Sequence, residues 1–245
     1  MSETMNTNKN YLVRVFTNIP NIVYTESMNT KTSYVIIAIL TVASFIIGFC
    51  VYSLLPAQIA SHWGVNGEVN GFMPKFWGVF LMPLIMFFLS FLLFWLPKID
   101  PLQGNVVIFR RYYNSVIVGI IFFLFYVHLL TIAWNIGFRF DMGKMIVPLI
   151  ALLWYMLGVA LPHIKQNWFM GIRTPWTLAS VRVWDETHKW SGKLFRYSAL
   201  ISIAGFFFSA NIMFWCFIIP VIFSAIASVV YSYILFKKYG ADKKG

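Results

Sequence analysis

The stretch YSALISIAGFFFSANIMFWCFIIPVIFSAIASVVYSYILF, Tyr197–Phe236, is 40 residues long and holds no charged side chain. As one helix it would reach roughly 60 Å, twice the thickness of a hydrocarbon core. It therefore has to fold back. Ser209-Ala210-Asn211 is the polar break near its middle, and a tight turn is expected there. The halves are then two membrane spans, at about residues 197–210 and 212–236.

Working outward, four more charge-free runs are long enough to cross. They are Ser33–Leu55, Phe76–Leu96, Asn114–Ile136 and Met145–Pro162. The runs are apolar on all sides and lack the alternation of barrel strands. Backbone groups in lipid must be paired within their own segment, so the runs are helices. The expected fold is all-α and integral to the membrane, with six transmembrane helices.

Composition agrees. Of 245 residues, 60% are hydrophobic, 19% aromatic and 11% charged, with a mean hydropathy of +0.74. A soluble core of this length cannot hide so much apolar surface. Disordered chains and disulfide-stapled modules are excluded on the same grounds. Cys50 and Cys216 lie inside apolar runs and read as small membrane-buried hydrophobes. The first run starts at Ser33 and exceeds the apolar core of a signal peptide. The segment before it, residues 1–32, reads as a polar cytoplasmic tail, and residues 237–245 as a basic one.

The net charge of +11 reads first as topology. With both termini in the cytoplasm, 16 of the 19 basic residues fall inside; Lys75, Arg139 and Lys144 fall outside. Direct nucleic-acid binding is not expected. Two wet connections remain. LPAQIASHWGVNGEVNGFMPK, Leu55–Lys75, lies outside, and His163–Arg196 lies inside.

In the outer connection, Pro56 ends the first helix and three glycines permit turns. His62, Trp63, Gly64, Glu68 and Lys75 are its candidate sensing residues. His62 and Glu68 are the groups there that resemble metal ligands, but zinc needs three or four, so no metal and no cofactor is expected. The bland alternative is an aromatic-anchored cap.

In the inner connection, Ser180 is a candidate N-cap for a short amphipathic helix from Val181 to about Ser191, ended by Gly192. Val181, Trp184 and His188 share its apolar face, and Asp185–Lys189 is a well-oriented i,i+4 pair. Arg173, His163, His188 and Asp185 are the candidates for an enzyme acting on lipid or envelope precursors. No GxSxG, HExxH or P-loop string supports that chemistry, and no enzyme is expected. No Asp, Glu, Lys or Arg falls within an expected span, which argues against a proton pump. His128 is the lone imidazole at membrane depth and reads as a buried hydrogen-bonding group.

Leu55-Pro56 is followed by His62-Trp63-Gly64, and Leu161-Pro162 by Asn167-Trp168 and Gly171. Each stretch follows the first helix of a three-helix half, on opposite faces. That makes an inverted 3+3 repeat a candidate arrangement, and it keeps open transport of a small or lipid-like solute.

NWFMGIRTPWTL (Asn167–Leu178) followed by VWDETHKWSGKLF (Val183–Phe195) resembles the signature of the SdpI family, membrane proteins named for immunity to a secreted sporulation-delay toxin. The outer connection resembles the LPxQIPxHW…G…PK motif of a small uncharacterised domain that often precedes it. The resemblance divides the membrane part into residues 33–113 and an SdpI-like domain, 114–236. It implies protection from a secreted, membrane-active peptide toxin. It also implies capture of a small cytosolic DNA-binding repressor. Carried over by motif, the inner contact residues are Asn167, Gly171, Arg173, Thr174, Pro175, Trp176, Trp184, Thr187 and His188. The chain departs from the pattern at Ala60, Asn70, Val181-Arg182, Lys189 and Ser191, and the acidic-to-basic change at Val181-Arg182 bears most on a cytosolic partner.

Overall fold

The computed structural model describes residues 30–241. Residues 1–29 of the expected N-terminal tail, and 242–245 of the basic one, lie outside the described residues. Helix α1, Thr30–Val51, finishes in a 3-10 turn, Tyr52–Leu54. Strands β1, Gln58–Trp63, and β2, Val69–Pro74, form an antiparallel hairpin. Helix α2 is Lys75–Ile99, α3 the short Gln103–Ile108, and α4 Arg110–Asn135. Helix α5, Met142–Ala160, also finishes in a 3-10 turn, Leu161–His163. A short α6, Pro175–Ala179, leads into α7, Val181–Gly205, and α8, Ala210–Tyr239.

Among the described residues, five helical segments are long and apolar enough to cross a membrane: Thr30–Leu54, Lys75–Ile99, Arg110–Asn135, Met142–His163 and Ala210–Tyr239. The reversal in the long apolar stretch falls at Phe206–Ser209, with α8 starting from Ser209. The segment before it differs from expectation. Instead of a short helix, a break at Gly192 and a new span, α7 runs unbroken for 25 residues. Gly192 stays helical because it is a contact point: a Cβ there would lie 2.7 Å from the Gly158 carbonyl of α5 and 2.8 Å from the Pro162 ring. Small residues let two backbones approach where lipid offers no hydrophobic drive between helices. Since α7 carries Arg182, Asp185, Glu186, Lys189, Lys193 and Arg196, its composition does not mark it as a span.

The packing is inverted relative to a soluble protein. Large apolar side chains face outward, with Phe91 71% and Phe207 80% exposed, while small polar groups are buried between helices. Ser198 and Ser202 of α7 and Ser224, Ser228 and Ser232 of α8 are all buried. Pro220 inside α8 shows why. It has no N–H for the Cys216 carbonyl four residues earlier. The Ser202 hydroxyl, which donates to the Ser198 carbonyl at 2.8 Å, also reaches that carbonyl across the helix pair at 3.3 Å, and Ser198 donates to the Pro220 carbonyl at 2.9 Å. The orphan carbonyl in hydrocarbon thus shares a hydroxyl donor.

Helices α1, α2 and α4 pack against one another, and α7 packs on α5 and α8. The α4–α5 contact joins the two groups. His128 of α4 is fully buried, and its Nε2 donates to the Ser44 carbonyl of α1 at 3.2 Å. The larger core cluster joins Ile37, Met86 and Ile117 to Leu161, Ile164 and Trp184. A smaller one, with Ile59, Val79 and Ile132, lies under the hairpin.

Candidate functional site: a clasped loop and a hairpin at opposite ends

The hairpin follows the C-terminal end of α1 and precedes α2, so it sits at one end of the bundle. The 163–174 loop follows α5, which runs the other way, and sits at the opposite end.

The loop is built by its own polar side chains. Asn167 is buried, and its Oδ1 accepts from the Phe169 and Met170 amides at 2.9 and 2.7 Å. Its Nδ2 donates to the Lys165 and Met170 carbonyls at 2.8 and 2.9 Å. The chain then turns through Gly171 at φ +110°, where a Cβ would lie 2.4 Å from His188 Nε2. Thr174 and Thr177 form a reciprocal capping box that starts α6, with Pro175 in its first turn. The Thr174 hydroxyl also lies 3.1 Å from that of Ser232, and Trp176 packs against Tyr233 with ring centroids 5.0 Å apart.

Helix α7 clasps this loop with two rings one turn apart. Trp184 is fully buried, its indole N–H donates to the Ile164 carbonyl at 2.7 Å, and its ring stacks on His188 at 4.1 Å. The roles on the His188 ring follow from its partners. Its Nδ1 donates to the Trp184 carbonyl at 2.8 Å, so its Nε2 is the lone pair that accepts from the Ile172 amide at 3.0 Å. Only the neutral ring can do both.

Burial pushes the His188 pKa down from 6.5 to about 4, against opposing pulls from the Trp184 carbonyl and the Asp185 carboxylate. Below pH 6.5 the unfolded ring takes up a proton that the folded ring refuses until about 4. The stability His188 contributes is therefore full above pH 6.5 and is lost as the pH falls to about 4. The Ile172 amide is expected to lose its protection from hydrogen exchange over that window. Unchanged protection at the acid end would show that the ring does not hold the loop.

Side chains from the first half brace the loop. Asp100 is almost fully buried; its Oδ2 accepts from the Trp168 amide at 3.0 Å and its Oδ1 from the Leu102 amide at 2.7 Å. Asn105 donates to the Gln166 carbonyl at 2.8 Å. The sequence reading missed both residues; an Asp-Pro pair just after an apolar run was the signal for Asp100.

Several expectations for this region are corrected. Val181 is half exposed and does not share the buried face of Trp184 and His188. Asp185 pairs with Lys165 at 3.5 Å and Lys189 with Glu186 at 3.7 Å, so the Asp185–Lys189 pair does not form. The candidate catalytic residues are engaged separately: His163 stacks on Tyr112, His188 is spent on backbone groups, and an Arg173 guanidinium N–H donates to the Trp168 carbonyl. The Thr187 hydroxyl is buried with no hydrogen-bond partner among the described residues.

At the other end, the outer connection is strand, where a glycine-rich loop was expected. Gln58 pairs with Pro74 and Ile59 with Met73, and the register slips on either side of His62. Gly67 turns at φ +80°. His62 Nδ1 is hydrogen-bonded to Asn70 Oδ1, and Glu68 accepts from the Asn66 amide, so the two ligand-like groups do not converge. Gly64 donates its amide to the Glu68 carbonyl at 2.8 Å, closing the tip. Lys75 donates to the Leu55 carbonyl at 3.1 Å and lies over the Tyr52 ring. No group of three or more His, Cys, Asp or Glu forms a metal site among the described residues. Asn135 of α4, also missed from sequence, anchors the hairpin: its side chain accepts from the Ala60 amide at 2.8 Å and donates to the Ala60 carbonyl at 3.0 Å. Beside it, Trp63 meets Trp134 edge-on.

This fold defines a multi-pass membrane protein with a braced loop at one end of the bundle and a hairpin at the other. Residues 163–232 match the SdpI/YfhL protein family, and residues 39–87 match a domain of unknown function (DUF1648). Immunity protein SdpI of Bacillus subtilis is 23% identical over 209 residues, covering 85% of this chain and 98% of that protein. The chain is thus similar to an immunity protein along most of its length, carries the DUF1648 match ahead of the SdpI/YfhL match, and is a multi-pass cell-membrane protein. No solved structure matches it.

Proposed function

We propose that the protein gives its cell immunity to a secreted, membrane-active peptide toxin, and that it signals by holding a small cytosolic repressor at the membrane. The observation that carries the reading is the end-to-end relation to an immunity protein, which spans both the hairpin and the clasped loop. The hairpin is the toxin-sensing end, presenting His62, Trp63, Gly64 and Glu68. The clasped loop is the recruiting end, with exposed Arg173 beside Trp176.

In this reading the chain crosses six times, with a span at about residues 197–210, beginning in the charge-free end of α7, as the additional crossing, and both termini are cytoplasmic. The strong bias of basic residues toward the loop end supports it. Each of α1 and α5 ends in a 3-10 turn and opens a group of three packed helices, which supports an inverted 3+3 repeat. That symmetry is also the observation favouring the alternative, transport of a small or lipid-like solute.

Expression in a toxin-sensitive host is expected to raise tolerance. Arg173→Ala is expected to cut repressor recruitment several-fold while leaving the fold intact, because the side chain is exposed. Unchanged tolerance across several related toxins would overturn the immunity reading. Reporter fusions at Gly245 and near Gly67 are expected to report opposite compartments; a shared compartment would end the outside-sensing, inside-recruiting scheme.

A further inference from the structure

The outward face of α7 is basic at a depth where its neighbour is apolar. The two helices run antiparallel in a register fixed by four contacts. Arg182 lies over the Tyr239 ring at 3.7 Å, Trp190 stacks on Tyr231 at 4.5 Å, Ser198 reaches the Pro220 carbonyl and Ser202 the Cys216 carbonyl. Lys189 and Lys193 therefore lie level with the part of α8 between Phe223 and Tyr231. There α8 still presents bare hydrocarbon-type surface, with Phe223, Ile226 and Val230 each more than half exposed. Trp190, three residues before Lys193, closes an open groove of about 400 Å³ against those side chains. The groove's lining is apolar, and Lys189 and Lys193, both exposed, stand one and three residues from Trp190 on α7. Glu186 answers Lys189, and Asp185 is turned to Lys165; Lys193 has no ion pair among the described residues.

We propose that this groove seats one anionic phospholipid, with its phosphate on Lys193 and Lys189 and an acyl chain along Trp190 and α8. Charge selects the occupant. A zwitterionic lipid brings its own cation to an α7 face already in cationic excess, whereas a phosphatidylglycerol headgroup brings only the anion. Lysine stems also reach along apolar surface toward phosphate level, which suits a site at the edge of the hydrocarbon. Basic pockets beside membrane helices hold such headgroups by electrostatic attraction to the phosphate. The proposal needs neither the toxin nor the repressor.

The test is native mass spectrometry of the full-length protein in detergent, with phosphatidylglycerol or phosphatidylcholine of matched chains. The wild type is expected to retain the anionic lipid preferentially. Lys189→Gln with Lys193→Gln, both at exposed positions, is expected to reduce that preference on the order of tenfold. Trp190→Ala is expected to lower retention of both lipids. Circular dichroism identifies any variant that has lost its helices, and a single Lys193→Gln then replaces it. Equal retention of the two lipids by the wild type overturns the proposal. So does an undiminished preference in the lysine variants, undiminished retention in the tryptophan variant, or displacement by soluble glycerol phosphate at equal concentration. A failed tolerance assay with an intact lipid preference would count against the immunity reading alone.

Discussion

Trp184→Ala is expected to give the largest loss of stability of any single substitution in the clasp, about 3–5 kcal/mol, and with it, on the proposed function, the loss of toxin tolerance. Three effects coincide. The indole is fully buried, so its removal leaves a cavity between α7 and the loop. The Ile164 carbonyl loses its donor. The His188 ring loses the face it stacks on. Trp184→Phe separates these effects. It keeps most of the volume and drops the N–H, and is expected to cost about 1–3 kcal/mol, the range for an unpaired buried acceptor. Thermal unfolding in detergent, followed by the accessibility of Cys216, measures both. Equal melting temperatures for wild type and Trp184→Ala would mean that the indole does not hold the loop.

Gly171→Ala is the second large effect, and it acts through geometry. At φ +110° an L side chain is strained, which costs of order 1–3 kcal/mol. The new Cβ would also sit 2.4 Å from the nitrogen that accepts the Ile172 amide. The ring has nowhere to go, because Trp184 packs against its face and the Trp184 carbonyl holds its other nitrogen. The His188 bond must break, leaving the part-buried Ile172 amide unpaired at a cost of up to about 3 kcal/mol more. The expected phenotype is a chain that inserts and keeps its helices but exchanges the 168–173 amides rapidly and, on the proposed function, confers no tolerance. Wild-type exchange in Gly171→Ala would show that the turn tolerates a side chain and that the clasp is looser than its distances imply.

How far the sequence was legible varies with the kind of feature. The four runs outside the long stretch are helices within a few residues of their expected ends, because a charge-free run of some twenty residues has one stable form in lipid. The hairpin was not legible. Its alternation is interrupted where the register slips around His62, and what steadies it is Asn135, 75 residues away from Ala60. Gly192 was legible only as a glycine. A helix stop and a close helix crossing both call for that residue, and which applies depends on Gly158 of α5. Asp100 had its local signal in the Asp-Pro pair, but its partner, the Trp168 amide, lies 68 residues on.

The sequence alone therefore determined that this chain lives in a membrane, where its apolar rods lie, that the long apolar stretch reverses near Ser209, and which two connections carry polar chemistry. Those follow from composition and local length, since solvent exclusion acts on each segment separately. Only the tertiary structure decided that α7 is one helix, that Trp184 and His188 close on the loop, that Asp185 turns to Lys165, and that lysines and an apolar groove share one depth. Each of these depends on a partner distant in the chain. A hydrogen bond or a close backbone approach is fixed by where two helices cross, and no local pattern records that.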